Sequence, residues 1–372
     1  MTSHKERARQ IHDSLPVVDG HNDLPWALRL KADSDLSRSD PRESLPDFHT
    51  DFGRMRDGGV GAQFWSVFVP AWTNEPFKTT MEQVSLVKAM TALSPDTTEM
   101  ATSASHAEAI IASGRMAGLM GAEGGHAIED SLDNLEALAT AGVRYMTLTH
   151  GSTISWADSA TDQPEHGGLT SFGKRVVTAM NEFGMLVDIS HVSADTMRDA
   201  IRTSTRPVIA SHSSAYAIAS HPRNVPDDVL HMVGDTGGVV MVTFVPGFLV
   251  QDGADMSIEM FEEQRQLRGD FGPDEEAAYQ EAAAELLRSK NLPRGDVGAV
   301  VDHIEHIADL IGVEHVGIGS DFDGVPSLPV GLEDASTYPH ITEEMLRRGW
   351  NESDIRMVLG QNALRVLAAS DV

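Results

Sequence analysis

The sequence predicts a (β/α)8 barrel, and three observations carry that prediction. Eight short apolar runs alternate with stretches of helical spacing, the pattern of parallel strands joined by crossover helices. A count of eight favours a closed barrel over an open sheet. His, Asp and Glu residues recur at the C-terminal end of successive runs, the rim where this architecture gathers its chemistry. With 372 residues, 41% of them hydrophobic, the chain can bury a core of that size as a single domain spanning 1–372.

The first run, Leu15-Pro16-Val17-Val18-Asp19-Gly20, leads straight into His21-Asn22-Asp23. Residues i and i+2 of a strand point to one face, so His21 and Asp23 project together from the strand end. The second run is Gly61 to Val69, and helical spacing follows from about Thr79 to Ser113. Met116 to Glu123 is the third strand, Leu132 to Ala141 a helix, and Val143 to His150 the fourth strand. Met185 to His191, Pro207 to His212, Gly238 to Phe244 and His315 to Asp321 complete the eight. The chain is longer than a typical barrel, and the surplus falls in insertions near 70–113 and 248–295. The second insertion carries a charged, alanine-rich helical pattern from Asp274 to Ser289, which reads as a solvated surface helix, a lid or a subunit contact. The amphipathic stretch Val297 to Ile311 is a helix with His303 and His306 expected on its surface.

Composition narrows the function. A balance of 28 basic against 56 acidic residues, a net charge of −28, repels phosphate backbones and anionic membranes, so neither nucleic acid nor membrane is an expected partner. There is no cysteine, which excludes disulfides and leaves nitrogen and oxygen as the donors for any metal. The opening Met1-Thr2-Ser3-His4-Lys5-Glu6-Arg7 lacks the apolar core of a signal peptide, and a cytoplasmic location is the expectation.

Burying unpaired carboxylates and imidazoles at so many strand ends is costly, and a bound cation offsets that cost. His21, Asp23, Glu123, His191 and His212 are five ligand-type side chains, enough for two ions if Glu123 bridges. One ion then takes His21, Asp23 and one Glu123 oxygen, and the other takes the second oxygen, His191 and His212. Each keeps an open position, as a catalytic site does. Zinc suits this donor set best, with manganese, cobalt and iron as alternatives. A water held between two such ions is acidified into a nucleophile near neutral pH.

Seven segments, in order along most of the chain, resemble the membrane (renal) dipeptidase family. They are Asp19-Gly20-His21-Asn22-Asp23-Leu24-Pro25-Trp26, Glu123-Gly124-Gly125-His126, Leu148-Thr149-His150, Ser190-His191-Val192-Ser193, Ser211-His212-Ser213-Ser214-Ala215-Tyr216, Arg223-Asn224-Val225-Pro226-Asp227-Asp228 and Gly317-Ile318-Gly319-Ser320-Asp321-Phe322-Asp323-Gly324. The resemblance implies an amidohydrolase-type barrel with two Zn2+ per chain that hydrolyses dipeptides, including those with a D-residue at the C-terminal position; some members open β-lactam rings. It implies His21 and Asp23 on one zinc, His191 and His212 on the other, and Glu123 between them. It further implies that His150 binds the scissile carbonyl and its oxyanion, that Arg223 holds the substrate carboxylate, that Asp321 shuttles the proton, and that the chain forms a homodimer. The animal members are secreted, disulfide-bearing and lipid-anchored, and the cysteine-free sequence here is similar instead to a soluble microbial member.

The expected function is therefore a binuclear zinc dipeptidase. Two alternatives stand beside it. One is another amidohydrolase reaction, on a lactone or phosphoester, against which the carboxylate anchor Arg223 weighs. The other is a metal-binding protein without catalysis, which has no need of Asp321. Trp26 is expected to wall the pocket, His126 and Asp323 are candidates to support the ligands, and His221 has no assigned place.

Overall fold

The eight runs close into a ring of parallel strands. The structure is a computed structural model that describes residues 3–290 and 292–371. Its strands are β1 (Val17–Asn22), β2 (Val60–Ser66), β3 (Thr98–Met100), β4 (Met116–Glu123), β5 (Val143–Thr147), β6 (Leu186–Asp188), β7 (Ile209–Ala210), β8 (Val239–Val242) and β9 (Val316–Ile318). Pairing runs β1 to β2, β2 to β4 and on through β9, which returns to β1, so eight strands form the barrel. The ninth, β3, pairs with the first residues of β4.

Period-two alternation sorts the strand side chains into two apolar layers. Val18, Phe64, Leu119, Tyr145, Leu186, Ile209 and Val239 pack into one cluster, closed off by Ala363 and Val366 of the C-terminal helix. Their neighbours Val17, Trp65, Met120, Met146, Val187 and Val240 join the larger cluster between strands and helices. Gly121 stands opposite Tyr145 in the β4–β5 register, and a Cβ there would lie 1.9 Å from the tyrosine Cζ. The missing side chain is what lets that ring cross the barrel.

Three expectations need correction. Helical spacing from Thr79 to Ser113 resolves into helices Pro76–Ala92 and Ala104–Ala112 with β3 between them. Ser94-Pro95-Asp96 breaks the pattern, because proline has no N–H to continue a helix. His303 is not on the surface: it is fully buried in helix Val297–Ile311, on the face shared by Val300, Ile304 and Ile307. Its Nδ1 accepts from the Ala215 N–H at 3.0 Å and its Nε2 donates to the Leu249 carbonyl at 3.0 Å, so a neutral imidazole is satisfied at both ends. His306 is half-buried and pairs with Asp227 at 2.9 Å. Finally, the strands before His150, His191, His212 and Asp321 end sooner than their apolar runs, and His191 and Asp321 take left-handed backbone at φ 66° and 65°.

The second insertion folds as helices Gln251–Arg268 and Glu276–Ser289. It reaches the strand-end loops: Trp72 Nε1 donates to Glu276 at 2.6 Å, Arg265 donates to the Thr161 carbonyl at 2.9 Å, and Tyr279 meets Trp72 edge to face. No helix among the described residues is long and apolar enough to cross a membrane.

Candidate metal centre

Strand ends bring the ligand-type residues to one point. β1 delivers His21, with Asp23 one residue beyond its end; β4 ends on Glu123; His150 follows β5, His191 follows β6, His212 follows β7 and Asp321 follows β9. His21 Nε2 lies 3.2 Å from Asp23 Oδ2 and 3.3 Å from Glu123 Oε2. The other Glu123 oxygen, Oε1, lies 3.0 Å from His191 Nε2, 3.5 Å from His212 Nε2 and 3.7 Å from His150 Nε2. The two oxygens of one carboxylate thus face two different sets of imidazoles. Three overlapping groups have ligand atoms close enough for a cation: His21, Glu123 and His212; Glu123, His150 and His191; and His21, Asp23 and Asp321.

The donor chemistry fits a divalent ion. His21 Nε2 is buried without a hydrogen-bond partner, and the Nε2 atoms of His191 and His212 stand 2.8 Å apart. Nitrogen and carboxylate oxygen, with no thiolate, is the set that suits zinc and its first-row neighbours.

Neighbours hold the ligand-type side chains in place. Tyr145 OH donates to the Gly20 carbonyl at 3.1 Å and so accepts from His21 Nδ1 at 2.8 Å. Ser66 Oγ donates to Glu123 Oε2 at 3.0 Å. Asp19, buried in β1, accepts from the Ser320 N–H, the Ser320 hydroxyl and Tyr338 OH at 2.6–2.7 Å, tying the β1 and β9 ends together. Asp158 accepts from the N–H groups of Glu165, His166 and Gly168, which pins the loop beyond His150, and Ser159 Oγ donates to the His150 carbonyl at 2.6 Å.

The electrostatics follow from burial and crowding. Burial pulls the His21 imidazole down, but Tyr145, Glu123 and Asp23 outweigh it and hold it well above its ordinary value. Burial pushes Glu123 up, yet His21 and bonds from His191, His21 and His212 leave it well below the usual carboxylate range. His191 and His212 lie well below the ordinary histidine range, first through burial and then through the positive charges of Arg223 and His21 respectively. Asp321 is pushed up to about 8 by burial, against the pull of His21, with Asp23 and Glu123 adding to the rise.

Arg223 is 2% exposed, and no Asp or Glu among the described residues forms an ion pair with it. Among the described residues its guanidinium donates only to Ser213 Oγ and the His212 carbonyl, both at 3.3 Å, and it lies over Phe248 at 5.2 Å. Burial lowers it to about 10. His221 finds its place here, its ring tilted against Phe248 at 4.4 Å, with Nδ1 accepting from the Arg223 N–H at 3.1 Å. His150 has the most open side chain of the histidine set, at 31% exposure. Its ring stands 4.6 Å from that of Phe68, which Trp26 meets edge to face at 5.2 Å, so the aromatic wall extends from the histidine. A cavity of about 200 Å3 opens beside Trp26, lined also by Arg29, Trp72, Asn74, Asp274 and Glu276.

Two other candidates are placed more plainly. His126 donates from Nε2 to the Val69 carbonyl at 2.7 Å, and Asp323 accepts from the His49 N–H at 2.7 Å; each braces a loop. Sequence reasoning passed over Tyr145, Ser66, Asp158, Asp188 and Ser211, which contact the ligands or their loops. The signal for Asp188 was a lone carboxylate inside the apolar run Leu186-Val187-Asp188-Ile189, where an acid needs partners.

Several solved structures share this fold. A probable dipeptidase, PvdM, from Pseudomonas aeruginosa superposes with a TM-score of 0.82 at 22% identity, covering 99% of this chain and 98% of its own. An amidohydrolase from Pseudomonas aeruginosa gives 0.74 at 22% identity, covering 98% of each chain. A metallo peptidase from Rhodobacter sphaeroides, liganded with a phosphinate mimic of the dipeptide L-Ala-D-Ala, gives 0.77 at 23% identity, covering 96% of this chain and 99% of its own. At these identities the solved structures speak for the fold. The sequence profile of the family described as membrane dipeptidase (peptidase family M19) matches residues 5–372. The chain belongs to the membrane dipeptidase family, peptidase family M19, and is a metallo-dipeptidase.

Proposed function

We propose that the chain hydrolyses the peptide bond of free dipeptides, L-Xaa-D-Xaa among them, at a binuclear zinc centre. His21 and Asp23 hold one ion, His191 and His212 the other, and Glu123 spans the two. When bound, the ions supply Lewis acidity at the scissile carbonyl and lower the pKa of a water.

The remaining steps belong to side chains. Arg223 grips the substrate's terminal carboxylate through its planar fork. His150 donates a hydrogen bond to the carbonyl oxygen as negative charge grows on it. Asp321 takes the proton released as water oxygen bonds to the carbonyl carbon, then gives it to the amine as the C–N bond breaks. The observation that carries this reading is Arg223, a buried guanidinium without an acidic partner among the described residues, beside a cluster of carboxylates and imidazoles. Such a charge is costly to bury unless a ligand pairs with it. A substrate carboxylate is that ligand, and a peptide with one residue beyond it has no place there. The chain acts in this reading as one domain and as a homodimer; a solution mass of a single chain would overturn the dimer.

The test is a panel of L,L and L,D dipeptides offered to zinc-loaded protein, with N-acetylated and C-amidated controls. Cleavage confined to free dipeptides supports the reading. Equal cleavage of the amides, or none by a protein carrying its metal, overturns it.

A further inference from the structure

We propose that Asp188 is a positioning residue of the metal centre, which acts through the Ser211 hydroxyl to set the tautomer and orientation of His212. The inference rests on the metal-site reading above. Thr147 and Asp188 lie two residues beyond Tyr145 and Leu186 on β5 and β6, and Ser211, one residue past the end of β7, lies two beyond Ile209, so the three form the layer above that apolar one.

Asp188 is fully buried and accepts four hydrogen bonds. Its Oδ1 takes the N–H groups of Ser190 at 3.0 Å and Ser211 at 2.9 Å, the residues immediately before His191 and His212. Its Oδ2 takes the hydroxyls of Thr147 and Ser211, each at 2.6 Å. One carboxylate therefore fastens together the two strand ends that carry the paired histidines.

The tautomer follows from proton counting. A hydroxyl has one proton, and that of Ser211 is committed to Asp188. Toward His212 Nδ1, 2.7 Å away, Ser211 Oγ has only a lone pair left, so Nδ1 carries the proton. Nε2 is then bare and faces Glu123. Tyr145 does the same for His21, its own proton being spent on the Gly20 carbonyl. A hydroxyl interposed between carboxylate and imidazole makes a longer relay than the direct carboxylate–histidine pair common behind metal ligands.

Ser211→Ala removes the relay but keeps the backbone N–H that Asp188 accepts; Ser211→Thr restores a hydroxyl. Two readouts separate this inference from the metal-site reading. In the metal-free protein, long-range 1H–15N correlation of the histidine rings reports the His212 tautomer: a single Nδ1–H form is expected in wild type and in Ser211→Thr, and a mixture in Ser211→Ala. In the loaded protein, competition with a chelator and the visible spectrum of the cobalt form report the site: Ser211→Ala is expected to weaken one ion by roughly 10- to 100-fold and alter the spectrum, with Ser211→Thr close to wild type. An unchanged tautomer in Ser211→Ala, or unchanged affinity and cobalt spectrum, overturns the role of Asp188. Wild-type protein that binds no metal while showing the Nδ1–H tautomer overturns the underlying site reading, and the metal role of Asp188 with it.

Discussion

Replacing Arg223 with methionine separates substrate recognition from folding, because the two respond in opposite directions. The change keeps an apolar stem over Phe248 and removes a guanidinium whose only bonds among the described residues are two of 3.3 Å to neutral oxygens. In the complex, a carboxylate would lose its charged partner inside a buried site, which costs about 3–5 kcal/mol. At about 1.4 kcal/mol per tenfold, kcat/KM for a free dipeptide falls by roughly 10²- to 10⁴-fold. The C-amidated dipeptide, already poor, falls by far less. In the absence of substrate the folded state no longer buries an unpaired charge, so the unfolding midpoint stays level or rises. Steady-state kinetics on the paired substrates, with a urea melt beside them, provide the assay. An equal loss on acid and amide, or a destabilised protein with intact dipeptide kinetics, would refute the assignment of Arg223 to the carboxylate.

Three further outcomes are expected. Asp321→Asn removes the proposed proton acceptor and should lower kcat by roughly 10²- to 10⁴-fold while the metal content measured by elemental analysis stays constant; retained kcat would remove Asp321 from the mechanism. Gly121→Ala puts a Cβ 1.9 Å from Tyr145 Cζ, so the ring must move; a loss of about 1–3 kcal/mol in a urea melt is expected, and an unchanged midpoint would mean the barrel interior yields there. His12 and His303 are both lowered to about 4, chiefly by burial, with backbone bonds to Gly58 and Leu249 opposing the shift. An unfolded histidine titrates near 6.5, so between about pH 6.5 and 4 the unfolded chain binds more protons and stability falls as pH falls. Each contributes a loss of about 2 kcal/mol between pH 7.5 and 5, and metal-free protein with the same urea midpoint at both values would contradict their buried, neutral state.

Much of the barrel was legible because the strand signal is local. Val17-Val18, Leu186-Val187 and Val239-Val240 are apolar whichever partner they meet, and ligand-type residues after such runs stand out because uncompensated burial is expensive. What was not legible depends on partners far along the chain. Asp188 owes its place to Thr147, 41 residues away, and to Ser211, 23 away. His303 sits inside because a neutral imidazole finds an N–H at Ala215 and a carbonyl at Leu249, and spacing alone does not announce such partners. Strand ends were overextended at His191 and Asp321, where the chain takes left-handed backbone that an apolar run does not reveal. The break in the helical stretch was readable in Ser94-Pro95-Asp96, and periodicity on either side obscured it.

Glu123 is proposed to join two metal sites, one through each oxygen. Metal-free protein titrated with zinc, with bound metal counted and dipeptide hydrolysis followed in parallel, tests it most directly. Activity that reaches its plateau at two ions per chain, with Glu123→Gln losing tight binding of at least one, is the predicted result. A plateau at one ion, or full activity without metal, would contradict it.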